Sequence, residues 1–230
     1  MNPYKSGKPL TSEQLQALEA TYTWQRIVAL RLNPVVGNFD AAHLKEINRR
    51  IFQDLPSLGF VDAMPGVFRP TVAPGKDWIK SRHLESIGIT SNVAYSSMDK
   101  AAQVRLNEVL EGANLTELSS LETNQFTQAI GRLYVEVDYI HPFADGNSRT
   151  LREFTRQLAE ASGYILDWGQ FGSSSVGRDV LYIARDLSVN QLALPNIQNL
   201  ATKRDVMLSV DQLGGNRDLP DLLRDAVRLL

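Results

Sequence analysis

The chain has no cysteine among its 230 residues. That excludes disulfide frameworks, thiolate-bound zinc, iron–sulfur clusters and cysteine nucleophiles, and it fits a reducing compartment. Histidine is scarce: His43, His83 and His141 are the full complement, which argues against a multi-histidine metal site. Neither sign of charge dominates, with 24 Lys+Arg against 26 Asp+Glu and a net charge of −2. Direct binding to nucleic acid or to an anionic membrane draws on a general excess of Lys and Arg, so neither partner is expected here, although local basic patches stay open. No run of about 18 apolar residues exists to span a bilayer. The first residues, MNPYKSGKPLTSEQ, lack the basic-then-apolar order of a secretory signal. The expectation is a soluble, cytoplasmic protein. What is present, 43% apolar and 22% charged residues, is ordinary globular composition, and the length suits one elaborated domain or one domain with a small extension.

Residues 1–10 read as a flexible lead-in, residues 11–190 as the main domain and residues 191–230 as a C-terminal helical extension. Thr11-Ser12-Glu13-Gln14 matches a capping box ahead of a long helix with Leu15, Leu18, Tyr22 and Ala29 on one face, widened by Ile27 and Leu30. Asp40 caps a second helix with Leu44, Ile47, Ile51 and Phe52 inward and Lys45, Glu46, Arg49 and Arg50 toward water, stopping near Pro56. Glycines and prolines then punctuate residues 56–97, which read as loops with one small hairpin. Helices follow from about Met98 to Glu111, Glu122 to Ile140, Ser148 to Ser162 and Arg178 to Leu187; the one ending at Ile140 carries too many apolar positions to be peripheral. The last 40 or so residues, split by Pro195, Gly214 and Pro220, read as one or two short helices. The fold class is all-α in the main, with a small β-hairpin. Trp24, Trp78 and Trp168 are expected to pack, and His43 to be structural.

The informative segment is His141-Pro-Phe-Ala-Asp-Gly-Asn-Ser-Arg-Thr-Leu-Arg152. Pro142 biases His141 to extended backbone, at the boundary of a helix and a loop. Gly146 can adopt positive φ, and a turn through Gly146, Asn147 and Ser148 aims backbone N–H groups at one point at the positive end of the next helix, a nest for a phosphate. Arg149 and Arg152, three residues apart, can reach the outer phosphates of a nucleotide. Asp145 is an oxygen ligand of the kind that holds Mg²⁺ together with phosphate oxygens. His141 is then the nearby group suited to act as a general base at neutral pH. Singly, each of these residues has an ordinary use in a turn, a cap or a solvated face; the combination carries the signal.

This segment resembles the signature of the Fic (filamentation induced by cAMP) family, HxFx[D/E]GNGRxxR. At about 5% usage per residue type, its matching positions coincide by chance on the order of 10⁻⁹ per starting point. His43-Leu-Lys-Glu-Ile-Asn48 with Ile51-Phe-Gln-Asp54 is similar to the family helix HLxxIHxxLFQD, and Gly163-Tyr-Ile-Leu-Asp-Trp168 to the segment after the catalytic helix. The resemblance implies a Fic-type helical bundle with a hairpin flap and a protein adenylyltransferase, moving AMP from ATP onto a Ser, Thr or Tyr hydroxyl of a target protein. In it His141 takes the hydroxyl proton, Asp145 holds Mg²⁺, and Gly146, Asn147 and Ser148 form the anion hole. Arg149 and Arg152 bind the leaving phosphates, and Phe143 packs beneath the loop. Tyr182 stands where an aromatic lines the adenine pocket, with core packing as its ordinary use, and Ile87-Gly88-Ile89-Thr90, within Ile87–Tyr95, is the candidate target-docking flap, with an ordinary loop before the Met98 helix as the alternative.

Departures accompany the match. Ser148 replaces the second motif glycine, and would be strained if that position needs positive φ. The WAG that often follows LFQD is missing. The lysine of the kinase-like Doc branch is absent and Gly146-Asn147 is kept, which favours nucleotidyl over phosphoryl transfer. No (S/T)xxxE(G/N) inhibitory pattern lies near either end, which suits either a toxin restrained by a small separate antitoxin or an unrestrained enzyme. A secreted effector delivered to a host cell fits the same resemblance. A nucleotide-binding interaction module is the alternative from another class.

Overall fold

The computed structural model describes residues 11–172 and 174–230; the lead-in expected at residues 1–10 lies outside them. Helix α1 spans Ser12–Leu32 and begins with the capping box read from the sequence, Thr11 and Gln14 each bonding the other's backbone N–H. It buries only Leu18, Thr23 and Leu30, and Trp24 on its outer side is 66% exposed, so this tryptophan is not the packing residue expected. Helix α2, Ala41–Phe52, is capped by the Asp40 carboxylate on the His43 N–H and presses Leu44, Ile47, Ile51 and Phe52 inward. Its buried Asn48 donates to Thr150 Oγ1 at 3.0 Å and accepts the Gly66 N–H at 2.7 Å, tying this helix to two later segments. His43 is buried and structural, its Nδ1 accepting from the Phe39 N–H.

A single 3₁₀ turn, Leu55–Leu58, and an irregular stretch lead into an antiparallel hairpin of β1, Trp78–Leu84, and β2, Ile89–Tyr95. Ile87 and Gly88 sit in its turn, not in a strand, because Gly88 takes φ 66° there. The hairpin expected within residues 56–97 is present, and its second strand starts at Ile89, two residues after Ile87. Helix α3, Lys100–Glu111, and the short α4, Leu115–Ser120, follow; α4 was not anticipated.

Helix α5, Thr123–Ile140, is the central element, with Phe126, Ile130 and Tyr134 fully buried. It contacts α3, then α6, Asn147–Ala161, and α7, Ser175–Ala193. Truncating Phe126 or Tyr134 to Ala would remove a ring from close packing, at a cost of about 3–5 kcal/mol. Helix α7 is longer than the sequence suggested, and its Asn190 bonds the backbone of β2 on both sides, through Ala94 N–H and Asn92 C=O. Between α6 and α7, β3, Tyr164–Leu166, pairs antiparallel with a strand near the C-terminus.

The C-terminal segment carries α8, Leu200–Leu213, the four-residue α9, Leu219–Leu222, and β4, Val227–Leu229, the partner of β3. Its packing is intimate: Pro220 lies so close to Gly131 of α5 that a Cβ on that glycine would meet the Pro220 Cα at 2.8 Å. No described helix is long and apolar enough to cross a membrane.

Candidate active site

The junction of α5 and α6 builds the site. His141 ends α5 in the left-handed region, φ 51° and ψ 59°. This overturns the extended backbone expected before Pro142, and left-handed backbone in a non-glycine residue is strained by about 1–3 kcal/mol. Arg69 holds it there. Its buried guanidinium donates to the carbonyls of His141 at 2.7 Å, Ser96 at 2.6 Å and Ile140 at 3.2 Å, and burial lowers its pKa to about 10. Nothing in the residue pattern singled out Arg69, because its partners are main-chain carbonyls 27 and more positions away.

The loop after His141 is fastened from below. Phe143 is buried against Phe68, and Asn147 closes a ring with the Phe143 backbone, accepting its N–H at 2.9 Å and donating to its carbonyl at 2.6 Å. Gly146 takes φ 77° and starts α6 with no side chain capping it. The first N–H groups of a helix have no partner within it, so this end offers donors and the positive end of the dipole to an anion. Ser148 is already helical and is not among the positive-φ residues, so the serine in place of glycine carries no backbone strain.

Gly146, Asn147, Ser148, Arg149 and Arg152 line one cavity with His141, Lys80, Ser81, Arg82, Tyr95, Tyr182 and Arg185, with a volume of about 500 Å³. That is within the usual range for a small-molecule site. The two motif arginines differ. Arg152 is mostly buried, bonds only the Ser148 carbonyl, and has no carboxylate partner among the described residues. Arg149 is engaged: Glu19 of α1 binds its Nη2 at 2.5 Å, Thr23 accepts from Nη1 at 3.0 Å, and the guanidinium lies 4.8 Å from the Phe52 ring centroid. Glu19 escaped the sequence reading because its surroundings, Leu15-Gln-Ala-Leu-Glu19-Ala, match no inhibitory pattern.

Lys80 of β1 spans from the hairpin to the loop, 3.1 Å from both Asp145 Oδ1 and the Ala144 carbonyl. The hairpin reaches the cavity through Lys80, Ser81 and Arg82 of β1 and Tyr95 of β2, not through the Ile87–Thr90 run. Asp145 is 92% exposed, and no group of three or more acidic or histidine side chains placed to hold a metal lies among the described residues. An accessible carboxylate beside an anion-binding turn suits Mg²⁺, which takes most of its ligands from phosphates and water. Tyr182 also lines the cavity, under the Arg82 guanidinium at 4.2 Å. His83 is exposed and outside it.

His141 itself is 4% exposed, with the Tyr95 ring 3.8 Å from its own. Burial lowers its pKa to about 4, partly offset by Asp138, one turn back on α5. It is therefore neutral at pH 7. Asp138 is buried too and receives Arg185 of α7 at 2.6 Å; that ion pair, with His141, holds the carboxyl below the usual range against the opposing effect of burial.

The sequence profile of the Fic/DOC family matches residues 38–159, just over half of the chain. Protein adenylyltransferase VbhT of Bartonella schoenbuchensis is 26% identical over 199 residues, which is 85% of this chain and 37% of that protein. The chain thus spans little more than a third of VbhT. Probable protein adenylyltransferase Fic of Escherichia coli K12 is 27% identical over 164 residues, 69% of this chain and 70% of that one. Among solved structures, the BepC effector of Bartonella tribocorum with bound AMPPNP shares the fold at a TM-score of 0.61 and 16% identity, covering 99% of this chain and 96% of that one. The helix-to-helix junction that joins His141 to the anion turn lies wholly inside the matched region, and the chain belongs to the Fic/DOC family.

Proposed function

We propose that this chain transfers AMP from ATP to a hydroxyl side chain of a target protein. The observation that carries the reading is a neutral, buried imidazole sharing one cavity with the uncapped start of α6 and with Arg152, a cation that no carboxylate neutralises among the described residues. Relatives named as protein adenylyltransferases support it.

The α-phosphate rests on the N–H groups of Gly146, Asn147 and Ser148. Arg152 and Arg149 receive the β- and γ-phosphates, and Tyr182 borders the base. His141 takes the proton of the target hydroxyl; the oxygen lone pair forms the bond to the α-phosphorus, and the bond from that phosphorus to the bridging oxygen breaks to release pyrophosphate. In-line transfer of this kind needs positioning and charge neutralisation more than covalent catalysis. Asp145 would hold Mg²⁺, which would supply further charge neutralisation when bound. Lys80, which now sits on Asp145 Oδ1, would compete with it there. The unpaired outer edge of β1 offers backbone groups to an extended target segment, so the hairpin as a whole, rather than Ile87, Gly88, Ile89 and Thr90 alone, serves as the flap.

A triphosphate also meets Glu19, which must yield or share Arg149. This in-chain carboxylate gives the site a restraint of its own, besides whatever a small antitoxin partner adds. Incubation with Mg²⁺, candidate target proteins and ATP labelled at either the α- or the γ-phosphate tests the reading. Label from the α-position is expected on a target, and His141→Ala should lower the rate about 10²–10⁴-fold. Label from the γ-position alone, or an unchanged His141→Ala, refutes it.

A further inference from the structure

Asp138 presents two oxygens with different surroundings. Its Oδ2 accepts both Arg185 Nε at 3.0 Å and Nη2 at 2.6 Å. Its Oδ1 is buried without a hydrogen-bond partner, and so are both ring nitrogens of His141, of which Nδ1 lies 3.6 Å from Oδ1. That spacing is longer than a hydrogen bond. Two orphaned buried atoms of complementary kind, one turn apart on the same helix, are costly unless they meet, and a shift of well under an ångström joins them.

We propose that Asp138 is a positioning residue for His141. Its carboxylate fixes the imidazole as the Nδ1–H tautomer, which leaves the Nε2 lone pair as the acceptor for the target proton, and it compensates the imidazolium that results. Arg185 holds the carboxylate in place from α7. The proton-accepting role rests on the adenylyl-transfer reading; the tautomer does not. The hydroxyl O–H bond breaks, the Nε2–H bond forms, the electron pair stays on oxygen for attack at phosphorus, and the proton later passes to water. A clamp between α5 and α7 would need only the Arg185 contact, and would leave Oδ1 and Nδ1 facing each other to no purpose.

Other groups surround the same ring. Lys80 of β1 and Arg69 of the loop before it act on its charge, the Tyr95 ring of β2 packs against it, and Arg185 of α7 with Arg149 and Arg152 of α6 line the same cavity. Asp138 is the acidic group that raises the pKa of His141, and Lys80 and Arg69 oppose it.

Nitrogen-15 spectra of the histidine-labelled chain at about pH 7.5 read the tautomer directly, with His141 assigned by its loss in His141→Ala. Nδ1–H on His141 in the wild-type chain is expected; Nε2–H, or an averaged mixture, overturns the proposal. Asp138→Asn keeps a carbonyl for Arg185 but offers an amide N–H to Nδ1. It should convert His141 to Nε2–H and lower kcat for adenylyl transfer about 10²–10⁴-fold, with the KM for ATP within about threefold. The acid limb of kcat/KM should move to lower pH, since the negative charge favouring the protonated ring is gone. A folded Asp138→Asn with unchanged kcat and pH profile overturns it. Should that variant fail to fold, the wild-type spectrum decides. Should the wild-type chain label no target while showing Nδ1–H, the transfer reading falls and the Asp138 contact stands.

Discussion

Replacing Gly146 by alanine tests the architecture of the anion turn through two separable costs. The residue sits at φ 77°, a region that an L side chain enters at about 1–2 kcal/mol. The added Cβ would also stand 2.1 Å from Phe52 Cζ and 2.3 Å from Cε2, far inside contact distance. Phe52 is buried and its ring is stiff, so the neighbourhood must shift, at about 1–3 kcal/mol for overpacking. The sum is about 2–5 kcal/mol, a sizeable part of the roughly 5–15 kcal/mol that keeps a domain folded. At about 2–4 °C per kcal/mol for a chain of this size, Tm should fall by about 4–20 °C. Urea unfolding of the wild type, Gly146→Ala, Phe52→Leu and the double variant isolates the clash. The double variant should recover about 1–3 kcal/mol relative to the sum of the singles. Because Phe52 also supports the Arg149 guanidinium, the single variant should weaken ATP binding as well. A Gly146→Ala protein within about 0.5 kcal/mol of wild type, or strict additivity in the cycle, would refute the turn geometry.

Glu19→Gln removes the charge that occupies Arg149 while keeping its shape; the pair is only partly exposed, and KM for ATP in labelling assays should fall about two- to fivefold, whereas an unchanged or higher KM contradicts the restraint. Acid should destabilise the fold in a defined window. His141 and His43 both have pKa values lowered by burial, so the unfolded chain binds more protons as pH falls from about 6.5 toward the folded value of about 4 for His141. The stability they contribute is therefore complete above about pH 6.5 and is lost across that window, and urea midpoints flat from pH 7 to pH 4 would contradict it.

The motif made the reactive half of the site legible, because its chemistry is local: Gly146, Asn147, Ser148, Arg149 and Arg152 follow one another through a turn and into the first turn and a half of α6. Helices with capping signals were equally plain, as Thr11 and Asp40 show. The half that positions the motif was hidden. Arg69 is 72 residues from the carbonyl of His141 that it braces, and Glu19 is 130 residues from Arg149. Neither contact leaves a periodicity or spacing to read. Asp138 was one turn from His141 on a recognised helix, and the i,i+3 spacing could have flagged it. It was masked by the apolar character of α5, in which a fully buried carboxylate is unexpected until Arg185 arrives from α7. The β3–β4 pairing was missed for the same reason, since each strand is three residues long and its partner lies some 60 residues away.

The central claim is that His141 draws a proton from a protein hydroxyl so that AMP, not phosphate, is transferred. Mass spectrometry of a target protein after incubation with the chain, ATP and Mg²⁺ tests it most directly. An oxygen-linked AMP increment on a Ser, Thr or Tyr side chain, formed by the wild type and lost with His141→Ala, is the expected result. A phosphate increment, or an AMP adduct that His141→Ala forms equally well, would contradict it.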